Sequence, residues 1–388
     1  MKEYDFAVVG AGPAGASAAR VLAKHGASVV IFERSTMPRE KPCGGAVSTQ
    51  ALSFLDFAVP EHLVNAQVFG AKVHFQNQST HARLEERIAV LVTRAKFDHF
   101  LLSKARECGA DVVWQEVKSI ERHRGHAELL SPCGTWRARC VIVCEGANRR
   151  LARRLRGKDP PAAQGFCIKA DIPVERAERY TDLKETIDIY FGLAEYGYGW
   201  IFHHGSFYSV GVGGLCSRFT APLATFYAFL KERHIEPGNG IRPRGHFIPC
   251  GGIKRTVCAD RIMLAGDAAG FADPFSGEGI AYAIRSGHLA AAVGLKAAEE
   301  DDFSYGGLKD YQRHAEKTFG RDLRHSFLMT RLMHAFPRLF LSILCSDKTV
   351  LQKYLAVTAH TLSFRRFFAF VIVRIPGFLL EYTLLKKS

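Results

Sequence analysis

The chain has 388 residues, 47% hydrophobic and 23% charged, with 52 Lys and Arg against 38 Asp and Glu and a net charge of +14. That length predicts two or three domains, and the composition excludes a disordered, fibrous or low-complexity protein. The basic residues are dispersed without an aromatic-basic recognition motif, which excludes nucleic acid and leaves a membrane surface, a diphosphate-bearing substrate, an acidic electron donor or a merely soluble surface.

Ten cysteines lie scattered, with no CxxC pair and no His at zinc-finger spacing, so neither a disulfide framework nor a metal site is expected. The chain enters its first strand without a basic-then-apolar leader. A cytoplasmic location is therefore expected, with peripheral attachment to the inner membrane face left open.

Residues 4–34 read as strand, glycine turn, helix and second strand. The run Phe6–Val9 is short and β-branched, as in a strand buried on both faces, and the Ala-rich stretch 14–23 has helical length and period. In Gly10-Ala11-Gly12-Pro13-Ala14-Gly15 the first glycine permits the tight turn. Gly12 admits backbone amides to a pyrophosphate, and Gly15 lets the helix pack on the strand. Glu33 ends the second strand about 20 residues later, where a carboxylate accepts from a ribose diol. This predicts a dinucleotide with a free 2′-hydroxyl, FAD or NAD, and the turn by itself does not choose between them.

Cys43-Gly44-Gly45 follows, and paired glycines imply close backbone approach to something flat or bulky; Cys43 is either a packed small residue or a thiol held against a cofactor ring. Residues 68–87 read as a hairpin. Arg94 opens an amphipathic helix, as a phosphate ligand or a plain surface residue. Residues 139–148 give another buried strand ending in a glycine turn. From Cys167 to about Cys250 longer aromatic strands predict an antiparallel sheet. Within it, Tyr196-Gly197-Tyr198-Gly199-Trp200-Ile201-Phe202-His203 is either sheet core or the wall of an apolar pocket. The strand 261–265 leads into Gly266-Asp267, and Asp273 to Ile280 is read as starting a helix that runs to about Ala298. Two glycine turns facing one crevice imply an elongated ligand. The last 50 residues read as helical, Phe-rich and basic at intervals. The run 364–380 is too interrupted by Arg374 and Pro376 to span a bilayer, and suits the interface or the protein's own core equally.

The expected fold is α/β: a Rossmann-like domain in three segments (1–67, 88–163, 251–310), a substrate domain with an antiparallel sheet (68–87 and 164–250), and a C-terminal helical region (311–388).

Taken together, these residues resemble the geranylgeranyl reductase family, within the para-hydroxybenzoate hydroxylase-like flavoproteins. The glycine turn, Arg94–Leu101 and Gly266-Asp267 carry the wider resemblance; Lys41-Pro42-Cys43-Gly44-Gly45 and Tyr196–Phe202 carry the narrower one, and Pro274–Gly279 looks like the isoalloxazine-binding loop. The resemblance implies that Gly10, Gly12, Ala14, Gly15, Glu33, Arg34 and Arg94 hold the adenosine and pyrophosphate of FAD. By the same likeness Asp267 binds the ribityl chain and Gly279 and Ile280 the flavin carbonyl edge, with Gly266 and Gly277 also among the cofactor-binding residues. Cys43, Gly44 and Gly45 would lie by the reactive ring, with Tyr196, Tyr198, Trp200, Phe202 and His203 lining a prenyl pocket. Glu145-Gly146 replaces the family's usual Asp-Gly pair, and His203 stands where a proline is common.

The implied reaction is saturation of a prenyl carbon–carbon double bond by hydride from reduced flavin with protonation, Cys43, Tyr198 and Trp200 being the catalytic candidates. Without a second GxGxxG unit, the electron donor would be a transient NAD(P)H, a ferredoxin or a quinol. Two alternatives use the same fold: an FAD-dependent aromatic monooxygenase or halogenase, and a flavoprotein acting on a partner protein.

Overall fold

The computed structural model describes residues 2–147, 150–176, 184–236, 238, 241–359 and 361–385. The chain divides into two compact units, each built from three segments: Met1–Lys41, Arg94–Ala163 and Phe247–Leu323 in the first, and Pro42–Thr93, Gln164–His246 and Arg324–Ser388 in the second.

The first unit is organised on parallel strands. Glu3–Val9 lies between Val29–Phe32 and Gly134–Val143, with Asp111–Val113 and Ile262–Leu264 continuing the parallel order on either side. The central runs Val29–Phe32 and Cys140–Val143 are buried throughout, which explains why they are apolar without alternation. The first half of Gly134–Val143 pairs antiparallel with Ala127–Ser131 before its second half joins the parallel sheet. Helix Pro13–Lys24 buries Ala14, Ala18, Ala19 and Leu22, and at Ala14 and Ala18 the side chains are small enough for Gly287 of the helix Ile280–Glu299 to approach its backbone closely. That second helix begins later than the sequence predicts. Asp273 accepts the amides of Phe275 (3.0 Å) and Ser276 (2.7 Å) and closes 273–279 as a loop, so its side chain competes with helical hydrogen bonding. The turn expected at 145–148 ends in Asn148, outside the described residues.

The second unit carries a seven-stranded sheet in the order Arg244–Pro249, Gln164–Pro173, Phe207–Leu215, Tyr198–His203, Thr186–Phe191, Gly70–Phe75, Gln78–Arg83. Its pairings include one parallel match, Thr186–Phe191 on Gly70–Phe75, because the hairpin at 70–83 arrives from a distant segment and no tight turn joins the two strands. One face buries Ile201, Tyr208, Val210 and Val212 under Phe226, Phe229 and Leu230 of the helix Pro222–Glu232. A three-stranded sheet of Ala46–Ser48, Ala89–Val92 and Val64–Val68 precedes it. The C-terminal helices do not stand apart as 311–388. Tyr305–Ala315 belongs to the first unit, whereas Pro337–Ser346 and Lys348–Thr358 pack on the 70–83 hairpin, where Thr80 Oγ1 donates to the Cys345 carbonyl. The last helix, Phe364–Leu385, buries Phe364, Phe367 and Val371 and exposes Ile372 and Val373. Among the described residues no single helix is long and apolar enough to cross a membrane.

Candidate cofactor and substrate sites

In the first unit the glycine turn is held open for a ligand. Gly10 has φ +105°, and a methyl there would lie 2.3 Å from the Cys144 carbonyl oxygen; one at Gly15 would lie 1.8 Å from the Gly10 oxygen. These two glycines serve strand–helix packing. Gly12 differs, since a methyl would meet only Arg39 Nη2 at 3.5 Å. Gly12 is also the N-cap of helix Pro13–Lys24 and offers no side-chain cap, so the first-turn amides are left to an external acceptor. The buried Glu33 carboxylate accepts from the amides of Ala11 (2.9 Å) and Ser35 (3.1 Å) and faces Arg39 at 3.6 Å, while keeping lone-pair capacity for a diol. Arg94 forks onto the fully buried Asp98 at 2.8 and 2.9 Å, and Arg39 reaches the same carboxylate at 3.2 Å. Arg94 is thus locked in an ion-pair cluster, and Arg34 is exposed.

The second glycine turn meets the first. A methyl on Gly266 would lie 3.0 Å from the Ala14 side chain, and Gly266 donates to Ser286 Oγ at 2.9 Å. Asp267 stands 3.9 Å from Lys41 Nζ, and its Oδ1 lies 3.3 Å from where a Gly279 side chain would begin; Gly279 is the N-cap of helix Ile280–Glu299, again without a side-chain cap. Gly277 is left-handed at φ +72°, and Ile280 is buried. Below this turn Arg156 donates to the Ala268 carbonyl (2.7 Å) and Arg255 to that of Gly270 (3.4 Å), both sharing Asp159 Oδ1 at 2.6 and 2.8 Å. Burial works to raise Asp159, but the two guanidiniums outweigh it and hold the carboxyl below its ordinary range. Two uncapped helix N-termini on adjoining turns, with a carboxylate at the far strand end, fit an elongated dinucleotide.

In the second unit Cys43-Gly44-Gly45 lies on the aromatic face of the sheet. Alternation along Tyr198–His203 puts Tyr198, Trp200 and Phe202 on one side, with ring centroids 6.2 and 6.3 Å apart, and Gly199, Ile201 and His203 on the other. A methyl on Gly44 would strike Phe202 at 2.7 Å and approach Trp200 Nε1 at 3.5 Å, so the turn rests on those rings. Trp200 in turn lies across Gly211, where a methyl would come within 2.2 Å of the indole, and donates to Ser209 Oγ at 3.4 Å. His203 packs against Tyr208 on the opposite face, away from the aromatic row. Tyr196 is left-handed at φ +55°; its ring stacks on His334 at 4.2 Å and its amide donates to His334 Nδ1 at 3.2 Å. Burial pushes His334 down to about 4.

The residue that meets the glycine turn is His204. Its Nε2 lies 2.9 Å from the Gly44 carbonyl oxygen, its Nδ1 3.0 Å from Asn65 Nδ2, and its ring stacks on Phe207 at 4.7 Å. Burial pushes His204 down to about 4. Sequence reading missed His204, Asn65, Arg39 and the Arg156–Asp159–Arg255 brace. The doublet His203-His204 was the visible signal, and strand alternation already puts one of any adjacent pair on each face. All ten cysteines are free; burial pushes Cys140 up to about 12, whereas Cys43 is half-buried. Ligand atoms of His123, His126 and Glu128 lie within 4.8 Å of one another on a surface hairpin, where Glu128 also faces Arg137.

A protein-family model described as an FAD binding domain matches residues 3–174. With this fold, the match defines an FAD-dependent oxidoreductase of the para-hydroxybenzoate hydroxylase-like superfamily. The chain is 31% identical over 333 residues to the chloroplastic geranylgeranyl diphosphate reductase of Oryza sativa subsp. japonica, covering 78% of this chain and 70% of that protein. It is 29% identical over 354 residues to the menaquinone reductase of Mycolicibacterium smegmatis, covering 84% of each. It therefore belongs to the geranylgeranyl reductase family. Among solved structures, a geranylgeranyl bacteriochlorophyll reductase-like protein from Thermoplasma acidophilum superposes with TM-score 0.81 at 22% identity, over 99% of this chain and 100% of that one. The flavin-dependent brominase Bmp2 shares the fold at TM-score 0.74 and 19% identity, over all of both chains.

Proposed function

We propose that this protein saturates carbon–carbon double bonds of a geranylgeranyl or similar prenyl chain. The observation that carries the reading is the Cys43-Gly44-Gly45 turn, seated through Gly44 on Trp200 and Phe202. Reduced FAD, when bound, supplies the hydride. In this reading Gly12, Ala14 and the helix amides receive the pyrophosphate, Glu33 the ribose diol, Asp267 the ribityl chain, and Gly279 and Ile280 the carbonyl edge of the ring. The ring beside Cys43, Gly44 and Gly45 is part of the same proposal, supported by the family resemblance.

An isolated alkene is not an electrophile, so a proton must reach one carbon as hydride reaches the other. The intervening charge has tertiary-cation character, which an aromatic face in a dry pocket stabilises by about 1 to 2 kcal/mol. Half-buried Tyr198 offers its face, while Trp200, lying on Gly211, serves as the floor. Cys43 is the proposed proton donor. The Gly45 amide lies 3.4 Å from Cys43 Sγ, positioned to stabilise the thiolate left behind. Cys43→Ala is expected to retain FAD and lose about 100-fold in reduction rate; full activity would pass the role to Tyr198 or water.

The decisive experiment incubates FAD-loaded protein, chemically reduced without oxygen, with geranylgeranyl diphosphate, a prenylated quinone and a prenylated glycerolipid. Products heavier by pairs of hydrogens are expected and would identify the head group. Unchanged masses with the flavin still reduced would overturn the reading in favour of oxygen-using or partner-directed chemistry. For a lipid substrate, exposed Ile372 and Val373 beside Arg365, Arg366 and Arg374 supply a face for an anionic bilayer. Co-sedimentation with anionic but not neutral vesicles tests that attachment.

A further inference from the structure

His204 and Cys43 are separated by 161 positions in sequence, yet a single peptide unit links them. The Gly44–Gly45 peptide presents its carbonyl oxygen to His204 Nε2 at 2.9 Å and its N–H to Cys43 Sγ at 3.4 Å. Rotating that plane would break both contacts at once, so whatever fixes the carbonyl also aims the amide. We propose that His204 is a positioning residue, held as one neutral tautomer, that orients the Gly44–Gly45 peptide so that its N–H points at the Cys43 sulfur.

The tautomer follows from the partners. A carbonyl oxygen can only accept, so Nε2 carries the hydrogen. A neutral ring then has a bare Nδ1, and Asn65 must turn its amide nitrogen toward it, which it does at 3.0 Å. The second hydrogen of Asn65 Nδ2 goes to Thr93 Oγ1 at 2.9 Å, so both Asn65 donors are used and the ring cannot flip without losing a bond. Phe207, stacked at 4.7 Å with planes 11° apart, fixes the ring's tilt. The turn is equally constrained from its own side. Gly45 has φ +82°, and a methyl there would lie 2.3 Å from the Val92 carbonyl oxygen and 2.8 Å from His204 Cε1, so no residue with a side chain fits between histidine and turn. Burial disfavours a second proton on the imidazole and outweighs the Gly44 hydrogen bond and Asp171, which oppose it; Lys169 and His203 work in the same sense as burial. A hydrogen bond taken by the Gly44 carbonyl polarises the attached N–H, and a polarised N–H favours the thiolate over the thiol.

The inference rests on the proposed role of Cys43 for its importance to turnover, but its test needs no turnover. Purified FAD-loaded protein is treated with iodoacetamide at pH 7.5, and the alkylation rate of Cys43 is followed by peptide mass mapping, with exposed Cys133 as the internal standard. His204→Phe keeps the stack on Phe207 and removes the donor. His204→Asn keeps an amide in place of Nδ1 but is too short to reach Gly44. His204→Gln carries an N–H to the Nε2 position. His204→Phe and His204→Asn are expected to slow Cys43 alkylation about fivefold relative to Cys133, the size of one hydrogen bond, and His204→Gln to restore it within twofold. Equal rates in all four proteins, or a glutamine variant as slow as the phenylalanine one, would overturn the proposal. Misfolding would expose the half-buried Cys43 and speed its alkylation, so faster reaction in all three variants would likewise overturn the proposal. If alkylation behaves as expected and no prenyl compound is reduced, the positioning role stands and the proposed reaction falls.

Discussion

Buried His204 and half-buried His334 contribute to how the second unit responds to acid. His204 and His334 titrate near 6.5 in an unfolded chain, whereas burial holds each at about 4 in the fold. Between those values the unfolded chain binds protons that the folded one refuses, so stability is full above pH 6.5 and falls as pH drops toward 4. For His204, at 5% exposure, moving from pH 7 to pH 5 is expected to cost about 2 kcal/mol, and less for His334. Urea unfolding at the two pH values measures this, and His204→Gln should flatten the difference. Asn65→Asp is expected to work in the opposite sense: a carboxylate facing Nδ1 favours a doubly protonated ring and raises His204, readable as an NMR titration shifted upward from about 4.

At the level of the element, the glycine turn at 10–15 separates two kinds of glycine. Gly10 and Gly15 are forced by backbone contacts at 2.3 and 1.8 Å, whereas Gly12 has only the tip of Arg39 within 4 Å. Gly15→Ala is expected to lower stability by about 1 to 3 kcal/mol and to lose FAD with it. Gly12→Ala should leave the melting temperature of FAD-free protein unchanged and weaken FAD, because in the proposed site its methyl would stand where amides meet the pyrophosphate. Flavin content after gel filtration, set beside thermal melts of the stripped proteins, distinguishes the two. Equal flavin affinity for Gly12→Ala and the parent would remove that turn from the cofactor site.

The whole molecule carries 14 more basic than acidic side chains, a field that would concentrate an acidic partner on it. If a ferredoxin delivers the electrons, its reduction rate should fall at least tenfold between 0.05 and 0.5 M salt, while reduction by dithionite stays flat. Indifference to salt would turn the search toward NAD(P)H or a quinol.

Much of the first unit was legible because its signals are local. Strand, turn, helix and acid fall within the first 34 residues, each following from backbone freedom, helical period or the apolar demand of a doubly covered sheet. The antiparallel sheet, its aromatic strand and the Cys43-Gly44-Gly45 turn were likewise visible as types. What they touch was not. Whether Tyr198 or His203 faces the turn depends on sheet register and on which side the helix Pro222–Glu232 covers. The partners Arg39–Asp98, Arg255–Asp159 and His204–Gly44 lie 59, 96 and 160 residues apart and leave no periodic trace. Sequence by itself determined the dinucleotide turn, because it rests on short-range backbone geometry, and its motifs carried the resemblance to the flavoprotein class and the family. Only the tertiary structure decided that Arg39 reaches Asp98, that the last helices cover the 70–83 hairpin, and that His204 holds the Gly44 carbonyl, because hydrogen bonds between distant segments exist only once the chain has folded.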